Sequence, residues 1–213
     1  MKDIAIFGAG GFGREVACLI NKINENQVTW NFIGFFDDGI EKGKRNEYGE
    51  ILGGIDELNK VTKELSVVIA IANPKIVTLI VSKIINKNIE FPNIISPDII
   101  YLDESSVGIG KGNIISSGCL ISCKVRIGDF NIFNGFVPIG HDTVIGDFNT
   151  IMPAVKLSGE VVIGNRNFFG VNAVVLQQIH IGNDTVIGAC SLLMRNTKDG
   201  NTYFGIPAKV INY

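Results

Sequence analysis

Ile139-Gly140-His141-Asp142-Thr143-Val144-Ile145-Gly146-Asp147-Phe148-Asn149-Thr150-Ile151 places an aliphatic residue at every sixth position, and the spacing continues outward in both directions. Ile109, Ile115, Ile121, Ile127, Phe133, Ile139, Ile145, Ile151, Leu157, Ile163, Phe169, Val175, Ile181, Ile187 and Leu193 make fifteen consecutive hexads in register. Every third hexad opens on Ile-Gly, at Ile109, Ile127, Ile145, Ile163 and Ile181, so the full repeat is eighteen residues. A period of six fits neither an α-helix nor a hairpin meander. It fits short strands separated by corners and stacked as a parallel β-helix, three hexads to a triangular coil. The leading aliphatic points into the prism, and the Gly that follows it is expected to let the backbone turn. A small residue recurs four places after the aliphatic, at Cys119, Val125, Asn131, Thr143, Asn149, Val161, Ala173, Thr185 and Ser191. Asn113, Asn131, Asn149 and Asn167 are eighteen residues apart and are expected to stack at one corner. Five coils, each about 4.8 Å thick, predict a column about 24 Å long.

Upstream of the repeat the pattern is that of a small α/β unit. A strand from Ile4 to Phe7 leads through a glycine turn into a helix with the apolar stripe Phe12, Val16, Leu19, Ile20 and Ile23. A second strand, Phe32 to Phe36, ends at Asp37-Asp38. A third, Val67 to Ala70, runs into Asn73-Pro74, which can cap and start a helix carrying Ile76, Leu79, Ile80 and Ile84. Strand alternating with helix predicts a parallel sheet with crossover connections. The prolines of Phe91-Pro92 and Ser96-Pro97 mark the change of pattern, which places a domain boundary near residue 95. The expected fold class is therefore α/β plus all-β: a Rossmann-like domain over residues 1–95, then a parallel β-helix with a C-terminal cap over residues 96–213.

Composition bounds the partners. A formal net charge of −2 gives no electrostatic reason to expect nucleic acid or an anionic membrane. No apolar run approaches the roughly 18 residues of a membrane span. Met1-Lys2-Asp3 passes straight into a strand, which reads as a cytoplasmic protein. Cys18, Cys119, Cys123 and Cys190 show no zinc-ligand spacing and fit packed interiors as modest hydrophobes.

Gly8-Ala9-Gly10-Gly11-Phe12-Gly13 matches GxGxxG between strand and helix, with Asp37-Asp38 at the next strand end. Such glycines permit close phosphate approach, the helix N-terminus favours an anion, and a carboxylate accepts ribose hydroxyls. The same physics serves any nucleotide diphosphate. A unit of this size supplies only about half of the sheet that holds a full dinucleotide, which disfavours an NAD-dependent reading.

From Ile109 to about Lys209 the repeat resembles the hexapeptide-repeat acyltransferases, which implies a left-handed β-helix. The combination with a glycine-turn domain is similar to the sugar O- and N-acetyltransferases of bacterial glycan biosynthesis: those acting on UDP-4-amino-sugars, those acting on sialic acid, and the perosamine type. The resemblance implies that Gly10, Gly11, Phe12, Asp37, Asp38 and Asn73 contact a nucleotide sugar. Ile71-Ala72-Asn73 departs from the family's third segment, where a Gly commonly stands at Ala72 and an Arg follows.

Of the two histidines, His141 lies at a corner beside Asp142. A neutral imidazole there can take a proton from an attacking amine or hydroxyl, and an adjacent carboxylate can hold its tautomer. Asn134, Gly140-His141-Asp142 and Ile145-Gly146-Asp147-Phe148 resemble the catalytic segment of these acetyltransferases. The resemblance implies His141 as general base, Asp142 as its orienting partner and Asn134 as a polar substrate or orienting group. Nine residues after His141, where several relatives carry a second His, stands Thr150, whose hydroxyl can still bond a thioester or a substrate. His180 precedes Ile181-Gly182 and reads as an exposed-face or interface residue. The resemblance further implies acetyl-CoA as co-substrate, with Thr150, Gly159, Val171, Ala189, Pro207 and Lys209 along its groove, and a homotrimer whose active sites lie between subunits. It implies no metal, and two histidines cannot supply the three-His zinc set of a γ-class carbonic anhydrase. Direct transfer to a sugar amine, transfer to a sugar hydroxyl, and a non-catalytic sugar-nucleotide scaffold all remain compatible with the sequence.

Overall fold

Runs of β-branched and aromatic residues form a five-stranded parallel sheet in the computed structural model, which describes residues 1–211. The chain divides into two units, Met1–Pro97 and a second that begins at Asp98. In the first, β1 (Lys2–Phe7), α1 (Gly11–Asn26), β2 (Trp30–Phe36), β3 (Ile51–Gly53), α2 (Ile55–Asn59), β4 (Leu65–Ile69), α3 (Pro74–Lys83) and β5 (Ile89–Glu90) follow in chain order. The sheet order is β3-β2-β1-β4-β5. Strand order reverses between β1 and β4, and beyond the carboxyl ends of strands at such a reversal doubly wound sheets bind their ligands. Ile4 to Phe7 and Leu65 to Ile69 are buried throughout, as strands covered on both faces must be.

Five strands are more than the sequence suggested. The strands β3 and β5 have three and two residues, and α2 has five, too few to show any period. The stripe expected on α3 is also shifted. Val77 and Ile80 are its buried aliphatics, whereas Ile76 and Leu79 are about half exposed. These two, with Phe7, Asp37, Asp38, Ile71 and Lys83, line a hollow of about 230 Å³ at the strand ends.

The second unit is a left-handed parallel β-helix with three faces. The first face carries Leu120–Ile121, Pro138–Ile139, Lys156–Leu157, Val174–Val175 and Leu192–Leu193, joined at one end by Ile100–Tyr101. The second carries Gly108–Ile109, Arg126–Ile127, Val144–Ile145, Val162–Ile163 and His180–Ile181. The third includes Ile114–Ile115, Ile132–Phe133, Thr150–Ile151, Phe168–Phe169 and Val186–Ile187. Partners across each ladder are eighteen residues apart, as in Ile121 with Ile139, Ile127 with Ile145 and Phe133 with Ile151. The small residues four places after each aliphatic are all buried.

The corner chemistry corrects one expectation. The Gly after each leading Ile does not take the left-handed backbone. That falls two residues later and, from Lys124 to Cys190, on a non-glycine residue in every hexad, with φ between +54° and +64°. Each such residue turns its N–H back to the preceding coil, as Phe130 does to Lys111 O (2.8 Å), Asp142 to Cys123 O (3.0 Å) and Phe148 to Asp129 O (2.9 Å). That bond offsets the steric cost of the left-handed region. Glycine is needed for another reason. A Cβ on Gly128 would lie 2.7 Å from Gly146 O, and one on Gly146 would lie 2.7 Å from Gly164 O, so the coils close only where no side chain intervenes. The asparagines stack at this same corner between the second and third faces. Asn131 Nδ2 donates to Asn113 Oδ1 (3.1 Å), Asn149 Nδ2 to Asn131 Oδ1 (3.0 Å) and Asn167 Nδ2 to Asn149 Oδ1 (2.9 Å).

The segment after Leu193 closes the column. Thr202–Tyr203 pairs with Val186–Ile187 and extends the third face, then Ala208–Ile211 returns antiparallel against Thr202–Gly205 across a cis Ile206–Pro207 bond. A stacked coil needs such a cover for its last edge.

Candidate active site

In the first unit, the glycine turn is built by close approach. Gly8 has φ +105°, and a Cβ there would lie 2.8 Å from Ala70 O. A Cβ on Gly13 would collide with the Gly8 carbonyl, so only glycine lets α1 pack onto the turn. Gly10 and Gly11 are exposed, with nothing near the position of a Cβ, and their backbone faces open space at the N-terminus of α1. Phe12 is half-buried beside them. Asp37 braces the turn: its Oδ2 accepts from Ala9 N–H (2.8 Å) and its Oδ1 from Gly39 N–H (2.8 Å). Asp38 Oδ1 accepts from Ile55 N–H (2.8 Å), and Asn73 Oδ1 caps α3 through Lys75 N–H (3.0 Å) and Ile76 N–H (3.4 Å). All six nucleotide candidates thus border the same strand ends, and three of them already serve the backbone there.

In the second unit, His141 and Asp142 stand on the corner between the first and second faces. His141 Nδ1 lies 2.9 Å from Asp142 Oδ2. Against an ionised carboxylate Nδ1 carries the proton and donates it, which leaves the Nε2 lone pair free to accept. Their side chains are 55% and 46% exposed, so the pair faces outward and within reach of a substrate. The neighbour one coil on is Gly159. A Cβ there would lie 2.5 Å from His141 Nε2, so the imidazole occupies space that any other residue would fill. Gly159 N–H donates no hydrogen bond among the described residues. The signal for this contact was available in the sequence, since residue 141 plus one eighteen-residue repeat is residue 159. We expect Gly159→Ala to displace the ring and lower kcat by about one to two orders of magnitude. Steady-state kinetics beside an unchanged melting temperature would separate this from misfolding.

The remaining expected residues lie on other parts of the column. Asn134, nearly buried, with Nδ2 3.4 Å from Met152 Sδ, is at the corner between the third and first faces, as are the exposed Val171 and Ala189. Thr150 is buried on the third face. Pro207 and Lys209 are exposed on the terminal hairpin. A single copy therefore does not gather these residues around His141. His180 is exposed on the second face.

Among the cysteines only Cys119 is fully interior, and burial pushes its thiol up to about 11. Cys18 and Cys190 are exposed, contrary to the expectation of packed interiors, because both fall on outward positions of a helix and a corner. Alkylation of the native protein should label these two and spare Cys119 until unfolding, as peptide mass spectrometry would read. Among the described residues no cluster of three or more His, Cys, Asp or Glu could hold a metal, and no helix is long and apolar enough to cross a membrane.

Residues 3–84 match the family described as the PglD N-terminal domain. No curated protein matches the chain. Among solved structures, the acetyltransferase domain of PglB from Neisseria gonorrhoeae FA1090, in complex with acetyl coenzyme A, is 27% identical, covers 99% of either chain and has a TM-score of 0.89. WeeI from Acinetobacter baumannii AYE is 27% identical over 99% of this chain and 100% of its own, with a TM-score of 0.88. PerB from Caulobacter crescentus, in complex with CoA and GDP-perosamine, is 25% identical over 100% of this chain and 98% of its own, with a TM-score of 0.90. A PglD-type domain followed by a hexapeptide column, matched along nearly the whole of these chains, makes this chain similar throughout its length to sugar acetyltransferases of the hexapeptide-repeat superfamily.

Proposed function

We propose that the chain moves the acetyl group of acetyl-CoA to the amine of a nucleotide-linked amino sugar, a UDP-4-amino-sugar first, with His141 as general base. The observation that carries this reading is the exposed His141–Asp142 pair with Nε2 held against Gly159. The amine nitrogen attacks the thioester carbon, the C–S bond breaks, and Nε2 takes the proton lost by nitrogen. The imidazolium, stabilised by Asp142, returns that proton to the departing thiolate. In this mechanism Gly159 N–H, which donates to no group among the described residues, receives the developing oxyanion. The nucleotide end of the acceptor is held at the glycine turn, where the Gly10 and Gly11 backbone is open.

The corner arrangement supports a homotrimer. A groove that uses Gly159 from the corner of the first and second faces, and Val171, Ala189 and Asn134 from the corner of the third and first, closes where those two corners of different copies meet. Thr150, Pro207 and Lys209 complete the donor side in this reading, which sets the reaction in bacterial glycan biosynthesis in the cytoplasm. Incubating the protein with acetyl-CoA and a panel of UDP-, GDP-, dTDP- and CMP-linked amino sugars, with mass spectrometry of products, tests it. An N-acetylated nucleotide sugar is the expected product. Acetylation at a hydroxyl replaces the amine assignment, and tight nucleotide-sugar binding without turnover on any acceptor favours a scaffold.

A further inference from the structure

The eighteen-residue repeat measures distance along the column. His141, Gly159, Gln177 and Arg195 hold the same hexad position in four successive coils, each two residues after a leading aliphatic: Ile139, Leu157, Val175 and Leu193. First-face register persists to Leu193, which pairs with Val175, and Leu176 N–H still donates to Leu193 O (3.1 Å). Arg195 thus lies three coils beyond His141, about 14 Å along the axis at the spacing of parallel strands. Between them the same corner exposes two apolar side chains, Leu176 at 36% and Met194 at 50%. Arg195 is itself exposed and forms no ion pair among the described residues.

This sequence of groups matches the order of groups in the donor. From the thioester sulfur to the first phosphorus of CoA the chain of some thirteen bonds, extended like a peptide backbone, spans about 15 Å. It carries two amides and a dimethyl-bearing carbon before reaching the diphosphate. We infer that Arg195 holds the diphosphate of the CoA donor, while Leu176 and Met194 line the path of the pantetheine arm. A guanidinium suits this task because it presents paired N–H groups to phosphate oxygens. The inference rests on acetyl-CoA lying along this corner with its thioester at His141, and it adds the group that fixes the far end.

Calorimetric titration of wild-type and Arg195→Ala protein with CoA, dephospho-CoA and pantetheine reads the contact without turnover. Dephospho-CoA keeps the diphosphate but lacks the 3′-phosphate, and pantetheine lacks both. We expect Arg195→Ala to raise Kd for CoA and for dephospho-CoA alike by about tenfold to thirtyfold, to leave pantetheine unchanged, and to be partly rescued by Arg195→Lys. Unchanged Kd for CoA overturns the assignment, as does a loss confined to CoA, which would make the 3′-phosphate the partner. Equal weakening of all three ligands also overturns it, because the change would then act on the groove. A wild-type protein that shows the expected CoA pattern yet acetylates no sugar retains the Arg195 contact and removes only the acceptor assignment.

Discussion

Replacing His141 with Ala lowers kcat by about two to four orders of magnitude, the usual worth of a positioned general base. Acetyl-CoA affinity is expected to remain within about twofold of wild type, since in the proposed mechanism the imidazole acts on the acceptor nitrogen and the donor is held by the column. The geometry explains the size of the effect. Asp142 engages Nδ1 at 2.9 Å, which leaves Nε2 for the acceptor in the proposed mechanism, and Gly159 leaves the ring the space it occupies. Asp142→Asn keeps a partner at Nδ1 but removes the charge that stabilises the imidazolium, so its loss should be smaller than that of His141→Ala. The left-handed backbone of Asp142 is no sign of catalytic strain, because the same φ recurs in every hexad from Lys124 to Cys190. A rate unchanged by His141→Ala, with acetyl-CoA still bound, would remove the residue from the mechanism.

Asn149→Ala should have the largest effect on stability, lowering the free energy of unfolding by about 3–5 kcal/mol. Asn149 is fully buried at the middle of the asparagine ladder. Its Nδ2 donates to Asn131 Oδ1 (3.0 Å) and Gly164 O (2.9 Å), and its Oδ1 accepts from Asn167 N–H (2.9 Å) and Asn167 Nδ2 (2.9 Å). Alanine deletes all four bonds and leaves two donors of Asn167 without an acceptor where water does not reach. A buried donor left unmade costs more than the bond it formed contributed, which is why the loss exceeds that of an ordinary exposed asparagine. Equilibrium unfolding in urea measures it, and a loss below about 1 kcal/mol would show that the ladder relaxes around the gap.

What the chain disclosed by itself depended on whether a constraint repeats along the sequence or acts across coils. The hexad aliphatics were legible because each points into the same prism, and the stacked asparagines because one buried corner demands one residue type. The role of the glycines was not. Gly128 and Gly146 look like turn residues, yet what they satisfy is the approach of a carbonyl eighteen residues away, a contact that local spacing cannot display. The three-residue β3 and two-residue β5 were invisible for want of length. At the glycine turn, Asp37 and Asn73 have the right chemistry for a ligand and for the backbone equally, and in the structure both bond the backbone. His141 stood out through rarity and its neighbour Asp142, while Gly159 beneath its ring becomes apparent only when the repeat is read vertically.

The most direct measurement is single-turnover release of CoA thiol by wild-type and His141→Ala protein, each saturated with acetyl-CoA and mixed with a nucleotide-linked amino sugar. The expected result is thiol release matched mole for mole by N-acetylated sugar in the wild type, and slowed by at least about a hundredfold in the variant. Thiol release at equal rates in the two proteins, or none in the wild type with any amino sugar although acetyl-CoA binds, would contradict acetyl transfer by this corner.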